Sequence, residues 1–165
     1  MYQVGERVVY GIHGVCTIVD VEVRKIDRQK VEYFALEPWD QPGARFYVPT
    51  RNPAALSKLR YLLESHEIQA LLDAQVPREW ISDEGKRKLY YKELMNSTDC
   101  GALLSMVGAL YRHREHQAAS GRKFHVCDEN FLRDAQKILC SEISLVMEMD
   151  HASAKQYLLS KLSCN

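Results

Sequence analysis

Val4-Gly5-Glu6-Arg7-Val8-Val9-Tyr10-Gly11-Ile12-His13-Gly14 runs directly into an alternating stretch from Val15 to Val23. In that stretch Val15, Thr17, Val19, Val21 and Val23 fall on one side and Asp20 and Glu22 on the other, the period of two of a half-buried strand. The odd-numbered line is the expected inner face. Gly11 and Gly14 mark a tight hairpin that needs positive φ. Asp27-Arg28-Gln29 reads as a polar turn, after which Lys30 to Leu36 resumes as a strand. Pro38, Pro42 and Gly43 force a loop, Ala44 to Val48 returns, and Pro49 ends that strand. Short antiparallel strands joined by tight turns predict a small barrel with exposed edges and no deep cleft. Such an architecture favours a binding module over an enzyme.

Working outward, Pro53 is placed to open one helical turn and Lys58 to Leu62 to add a last strand. From Ser65 onward the apolar residues change to helical spacing, and five helices are predicted. The first covers about Ser65 to Ala74 with Ile68, Leu71 and Leu72 inward, and Pro77 stops it. The second follows Trp80 with Ser82 as N-cap and runs through Leu89, Tyr90 and Leu94 to about Asn96. The third starts at Ser97-Thr98-Asp99 and aligns Leu103, Leu104, Val107, Leu110, Tyr111 and Ala118 before Gly121. The fourth is expected to be capped by Asp128 and to bury Phe131, Leu132, Ala135, Ile138, Leu139, Ile143 and Val146. Ser153 and Gln156 suggest a capping box for the last helix, which ends near Leu162. The expected fold is α+β, an antiparallel β-barrel domain over residues 1–64 followed by an all-helical domain over residues 65–165.

The chain has 165 residues, a formal net charge of zero and 46% hydrophobic residues, a soluble globular composition. No apolar run approaches the roughly 20 residues of a membrane-spanning helix, and the N-terminus lacks the plan of a signal peptide, so a cytoplasmic protein is expected. Cys16, Cys100, Cys127, Cys140 and Cys164 are odd in number and never form a C-x-x-C pair. They read as free thiols rather than a disulfide framework or a zinc site. No phosphate-binding loop, nucleophile elbow or H-E-x-x-H is present, so no catalytic residue and no cofactor is expected. With no heptad seam, a monomer is the expectation. Zero net charge excludes a protein that coats nucleic acid by charge alone, because phosphate binding rests on counterion release by Lys and Arg. Any DNA contact has to be local.

Several residues stand out as candidate sites. Trp80 lies where a small polar linker residue is the norm, and two readings are open. It pins neighbouring helices together, or it is an exposed aromatic wedge that stacks on a base while Lys86, Arg87, Lys88 and Lys92 hold the backbone. Glu79, Asp83, Glu84 and Glu93 dilute that basic cluster. A second basic group, Arg112, Arg114, Arg122 and Lys123, reads either as cations complementing a helix C-terminus or as phosphate contacts. His113, His116, His125 and Cys127 carry metal-donor atoms, but their spacing is no recognised ligand pattern, and no metal is expected. In the β-domain, Arg45 and Tyr47 share the face opposite Phe46 and Val48, with Arg24 near the end of the second strand. Arginine and tyrosine are enriched at protein interfaces.

The motifs V-G-E-R-V-V-Y-G-I-H-G-V at the N-terminus, E-Y-F-A-L after the turn, Y-V-P-T closing the fourth strand, and A-L-Y-R-H-R with L-R-D-A-Q-K-I-L-C-S-E-I in the helical part together resemble the CarD/CdnL family of bacterial transcription regulators. The N-terminal motif is also similar to the polymerase-interacting domain of transcription-repair coupling factors. The resemblance implies a Tudor-like barrel that pairs with the β subunit of RNA polymerase. It also implies a helical domain that contacts promoter DNA at the upstream edge of the bubble, weakly and in a polymerase-dependent way, stabilising the open complex. Carried over by position, Arg24, Arg45 and Tyr47 would face the polymerase, and Trp80 would be the wedge. The departures are Tyr47, where the family tends to have arginine, Ile81-Ser82-Asp83-Glu84, which separates Trp80 from its basic cluster, and Glu129 and Asn130, which stand where basic residues are common in the family at the start of the fourth helix. A rival reading is a protein-interaction adaptor that uses the β-domain without productive DNA contact.

Overall fold

The computed structural model describes residues 1–75 and 78–163, which form two compact units, Met1–Leu62 and Leu63–Asn165. The expected helix stop at Pro77 and the thiol of Cys164 lie outside the described residues.

The first unit is a five-stranded sheet. Strands β1 (Arg7–Tyr10), β2 (Val15–Ile26), β3 (Gln29–Pro38), β4 (Phe46–Pro49) and β5 (Leu59–Tyr61) lie in the order β4-β3-β2-β1-β5 with every neighbouring pair antiparallel. The sheet is open rather than a closed barrel, because β4 pairs only with β3 and β5 only with β1. A four-residue helix, α1 (Pro53–Leu56), carries the chain between these two edges. Asn52 caps it by accepting a hydrogen bond from the Ala55 N–H (3.1 Å), and Pro53 supplies the preset φ of a first helical residue. Between β1 and β2 a 3₁₀ turn, Gly11–His13, is flanked by a Tyr10 N–H donating to the Gly14 carbonyl at 2.9 Å. Gly11 and Gly14 hold φ of 43° and 69°.

The core of this unit consists of Val8, Cys16, Ile18, Phe34, Leu36, Val48 and Leu59, closed over by Tyr2, Tyr10, Phe46, Ala55 and Leu56. The expected inner line Val15 to Val23 is therefore corrected. A register shift between Ile18 and Asp20 inserts one extra residue into β2, and such a bulge exchanges the faces of everything beyond it. Before it, the even-numbered Cys16 and Ile18 point into the core. After it, Val21 opposite Phe34 and Val23 opposite Glu32 lie on the core side, but the hairpin has outrun its cover, leaving them 37% and 62% exposed.

Among its described residues the second unit contains five helices: α2 (Ser65–Asp73), α3 (Glu84–Asn96), α4 (Cys100–Ala119), α5 (Val126–Val146) and α6 (His151–Ser163). Glu64 and Glu67 make a capping box for α2, and Asp99 caps α4 by accepting from the Ala102 N–H at 2.9 Å. Three expected caps are corrected. Asp83, not Ser82, caps α3 through the Lys86 N–H (2.8 Å). His125 caps α5 by accepting the Cys127 N–H on Nδ1 (3.2 Å), leaving Asp128 inside the helix. Asp150 accepts the Ser153 N–H at 2.6 Å at the start of α6, in place of a Ser153–Gln156 box, and that hydrogen bond holds its carboxyl below the usual range.

The helix α4 is buried on several sides between Cys100 and Leu110, and only its last turns are wet. Its expected stripe holds for Leu103, Leu104, Val107 and Leu110, whereas Ala118 is exposed. Ile68 and Leu72 of α2 and Leu132, Leu139 and Ile143 of α5, helices that pack on α4, are buried, as are Leu158 and Leu162 of α6, which packs on α5 and α2. The helix α3 runs through Leu89, Tyr90 and Leu94 as expected, but these are not its buried residues. Arg87, Tyr91 and Met95, four residues apart, form the inner face, while Leu89 is 67% exposed. An arginine on the inner face needs a buried anion to offset its desolvation, and α5 supplies one.

Candidate functional site

On the sheet face opposite the core, the strand register places Arg24, Glu22, Ala35 and Tyr47 together. The Arg24 guanidinium lies over the Tyr47 ring, 3.6 Å from its centroid, and pairs with Glu22 at 3.0 Å. Hydrogen bonding to Glu22, together with the Tyr47 contact, raises the Arg24 pKa further. On the same face Arg45 donates to Glu37, whose carboxyl that hydrogen bond holds low. The three residues singled out in the sequence thus sit on one side of the sheet. Glu22 and Glu37, which sequence reading passed over, orient the two arginines. Their signal was present in the alternation, since i and i+2 residues share a strand face.

In the helical unit Trp80 precedes α3 and is half-buried. Its indole stacks face to face on the His113 imidazole of α4, with ring centroids 3.7 Å apart and planes 6° from parallel. The Arg87 guanidinium lies 4.6 Å from the indole centroid. Arg87 is 5% exposed. Its Nε and Nη2 donate to Oδ1 and Oδ2 of Asp128, both at 2.9 Å, and Nη1 donates to the Ile81 carbonyl at 2.8 Å. Burial works against the Arg87 charge, and the Asp128 hydrogen bonds outweigh it, so the pKa is raised. Arg87 is a structural cation in this fold, with its donors turned inward. Burial also lowers the His113 pKa, with Arg87 adding to that effect and Asp128 opposing it, which leaves a neutral ring against the indole.

The remaining cations are at the surface. Lys86 is exposed, and Lys88 pairs with Glu84 one turn earlier on α3. Arg112 and Arg114 lie half-buried on the last turns of α4, where Arg114 is 3.9 Å from Glu129 and packs over Tyr111. Arg122 and Lys123 are exposed in the α4–α5 loop. His125 is occupied by capping α5 and lies 3.6 Å from Glu84, and among the described residues no three His, Cys, Asp or Glu side chains converge as metal donors. Asp128, His113 and Phe124 are the residues of this region whose roles sequence reasoning missed. They come from α5, α4 and the loop between them, and nothing in local spacing pairs them with Arg87 or Trp80. Among the described residues no helix is long and apolar enough to cross a membrane.

No curated protein matches the chain. Residues 2–60, essentially the whole β-sheet unit, match the family of CarD-like/TRCF RID domains. Domains of that family interact with the β subunit of RNA polymerase. The amino-terminal β-sheet unit is thus similar to the CarD-like/TRCF RID domains, and the family match covers residues 2–60 of the chain.

Proposed function

We propose that this chain is a non-enzymatic, cytoplasmic transcription regulator that acts as a monomer. It docks on the RNA polymerase β subunit through the sheet face around Arg24, Arg45 and Tyr47, and stabilises the open promoter complex through DNA contacts of its helical domain at the upstream edge of the bubble. The observation that carries the docking step is the Arg24–Tyr47 stack in a RID-type domain. An arginine held over an aromatic ring and oriented by Glu22 loses little side-chain freedom on binding, and such stacks contribute about 0.5–2 kcal/mol.

The DNA step rests on the exposed cations Lys86, Arg122 and Lys123 and on Trp80. A chain with no net charge has little intrinsic affinity for DNA, but docking on the polymerase supplies an effective concentration that reaches about millimolar. The His113 stack on Trp80 is worth ~0.5–1.5 kcal/mol and base stacking ~1–3 kcal/mol, so an unstacked base competes successfully for the indole. The adaptor reading draws on a specific observation too. Arg87 is committed to Asp128, Lys88 to Glu84 and the indole to His113, which reduces the surface left for DNA.

Binding of the full chain to a polymerase β-lobe fragment tests the docking. Wild type binds, and Arg24→Glu and Tyr47→Ala lose binding; no binding by wild type to a folded fragment removes polymerase from the account. On a promoter complex, Trp80→Ala shortens the open-complex lifetime while polymerase binding is kept. An unchanged lifetime leaves the adaptor.

A further inference from the structure

Within the helical unit, a cleft of about 450 Å³ opens between the segment ahead of α3, the end of α4 and the start of α5. Its size falls in the ~300–1,000 Å³ range of small-ligand sites. Trp80, His113 and Phe124 line it as a row of rings, with His113 stacked on Trp80 and Phe124 tilted 48° to His113 at 6.2 Å. Ser82 and Gln117 add a hydroxyl and an amide, each both donor and acceptor.

The charge balance selects the ligand. Arg87 and Asp128 line the same cleft but neutralise each other, and His113 is neutral. Lys123 is exposed and makes no ion pair among the described residues, so it sets the sign of the cleft, with Arg122 beside it in sequence. Aromatic rings, two bifunctional polar groups and one free cation at the rim match a planar heterocycle bearing a phosphate. A cleft of this size admits one unstacked nucleotide and excludes a base still paired within a duplex.

We propose that the cleft binds a single nucleotide unit, its base against the aromatic row, its edge within reach of Ser82 and Gln117, and its phosphate on Lys123. The nucleotide comes either from an unpaired DNA strand, which deepens the open-complex reading above and rests on it, or from a free nucleoside phosphate, which does not.

The test uses the full chain with Trp39→Phe, which leaves Trp80 as the single tryptophan. Its emission is followed while titrating deoxyadenosine monophosphate, a single-stranded oligodeoxyadenylate, a blunt duplex and inorganic phosphate. Quenching by the mononucleotide or by the single strand, with little response to duplex or phosphate, is the expected result. A response to the strand alone assigns the site to unpaired DNA, and a response to the mononucleotide alone to a free nucleotide. Phe124→Ala weakens binding about tenfold, the loss of one stacking contact. Lys123→Gln, at an exposed position that leaves the fold intact, lowers the salt slope for the strand by about 0.7. Quenching by neither nucleotide probe, equal quenching by duplex or phosphate, or unchanged binding in Lys123→Gln overturns the proposal. No polymerase is present, so failure of the docking step leaves this titration unaffected.

Discussion

Arg87 on α3 and Asp128 on α5 meet as a bidentate pair, two hydrogen bonds of 2.9 Å between residues that are 5% and 2% exposed. The pair joins helices 41 residues apart in sequence, and its third donor holds the Ile81 carbonyl next to Trp80. Removing one partner leaves a buried charge without compensation, which costs about 3–5 kcal/mol. Asp128→Ala is therefore expected to destabilise the helical unit by that amount in urea unfolding followed by circular dichroism. The double variant Arg87→Met/Asp128→Leu, which removes both charges and keeps the volume, is expected to be more stable than either single variant. A double variant no better than Asp128→Ala would show that the pair acts through packing alone.

The ring stacked on Trp80 makes the helical unit sensitive to mild acid. Burial lowers the His113 pKa from its ordinary 6.5, so the unfolded chain takes up this proton before the folded one does. The contribution is complete above pH 6.5 and is lost as pH falls through the depressed folded value. Thermal unfolding monitored at Trp80 is expected to show a lower midpoint at pH 5.5 than at pH 7.5. His113→Gln, with no ring to protonate, is expected to flatten that dependence. An equal pH shift in wild type and variant would place the titration elsewhere.

Thiol chemistry offers an independent check on the packing. Burial pushes the Cys16 thiol up to about 12 and the Cys140 thiol up to about 11, and Cys100 is buried as well. Cys127, one residue inside α5, is only partly buried. Since the thiolate is the reactive species, alkylation at pH 8 is expected to modify Cys127 well before Cys16, Cys100 or Cys140 in a peptide-resolved mass spectrum. Early modification of Cys16 would mean that the sheet core opens readily.

What could be read from sequence follows the range of the forces involved. The hairpins and the run of helices after the sheet were legible because turn residues and apolar periods act locally. The inner face of β2 was not, because the bulge near Val19 is fixed by pairing with β3 and leaves the valine alternation unbroken. The inner face of α3 was missed for a related reason. Arg87 reads as a surface cation until Asp128 is placed opposite it, and Asp128 itself reads as a cap until the helix is seen to begin at Val126. On the sheet, alternation did place Tyr47 opposite Phe46 and Val48, but the Arg24 stack requires the β2–β3–β4 register.

The tip of the β2–β3 hairpin carries a cost that a single substitution relieves. Asp27 and Arg28 both adopt positive φ, 48° and 67°, the backbone of a type I′ turn, whose twist matches that of the flanking strands. Aspartate tolerates this region, whereas a long side chain such as arginine places its Cβ against the following carbonyl at a cost of about 1–2 kcal/mol. Glycine carries no such penalty but gives up some of the gain through its greater freedom in the unfolded chain. Arg28→Gly, at an exposed tip outside the Arg24–Tyr47 cluster, is thus expected to stabilise the sheet unit by roughly 0.5–1 kcal/mol. The gain appears as a higher urea midpoint with an unchanged slope, while binding to the polymerase fragment stays as in wild type. A lower midpoint would mean that the Arg28 side chain makes a contact worth more than the strain it imposes.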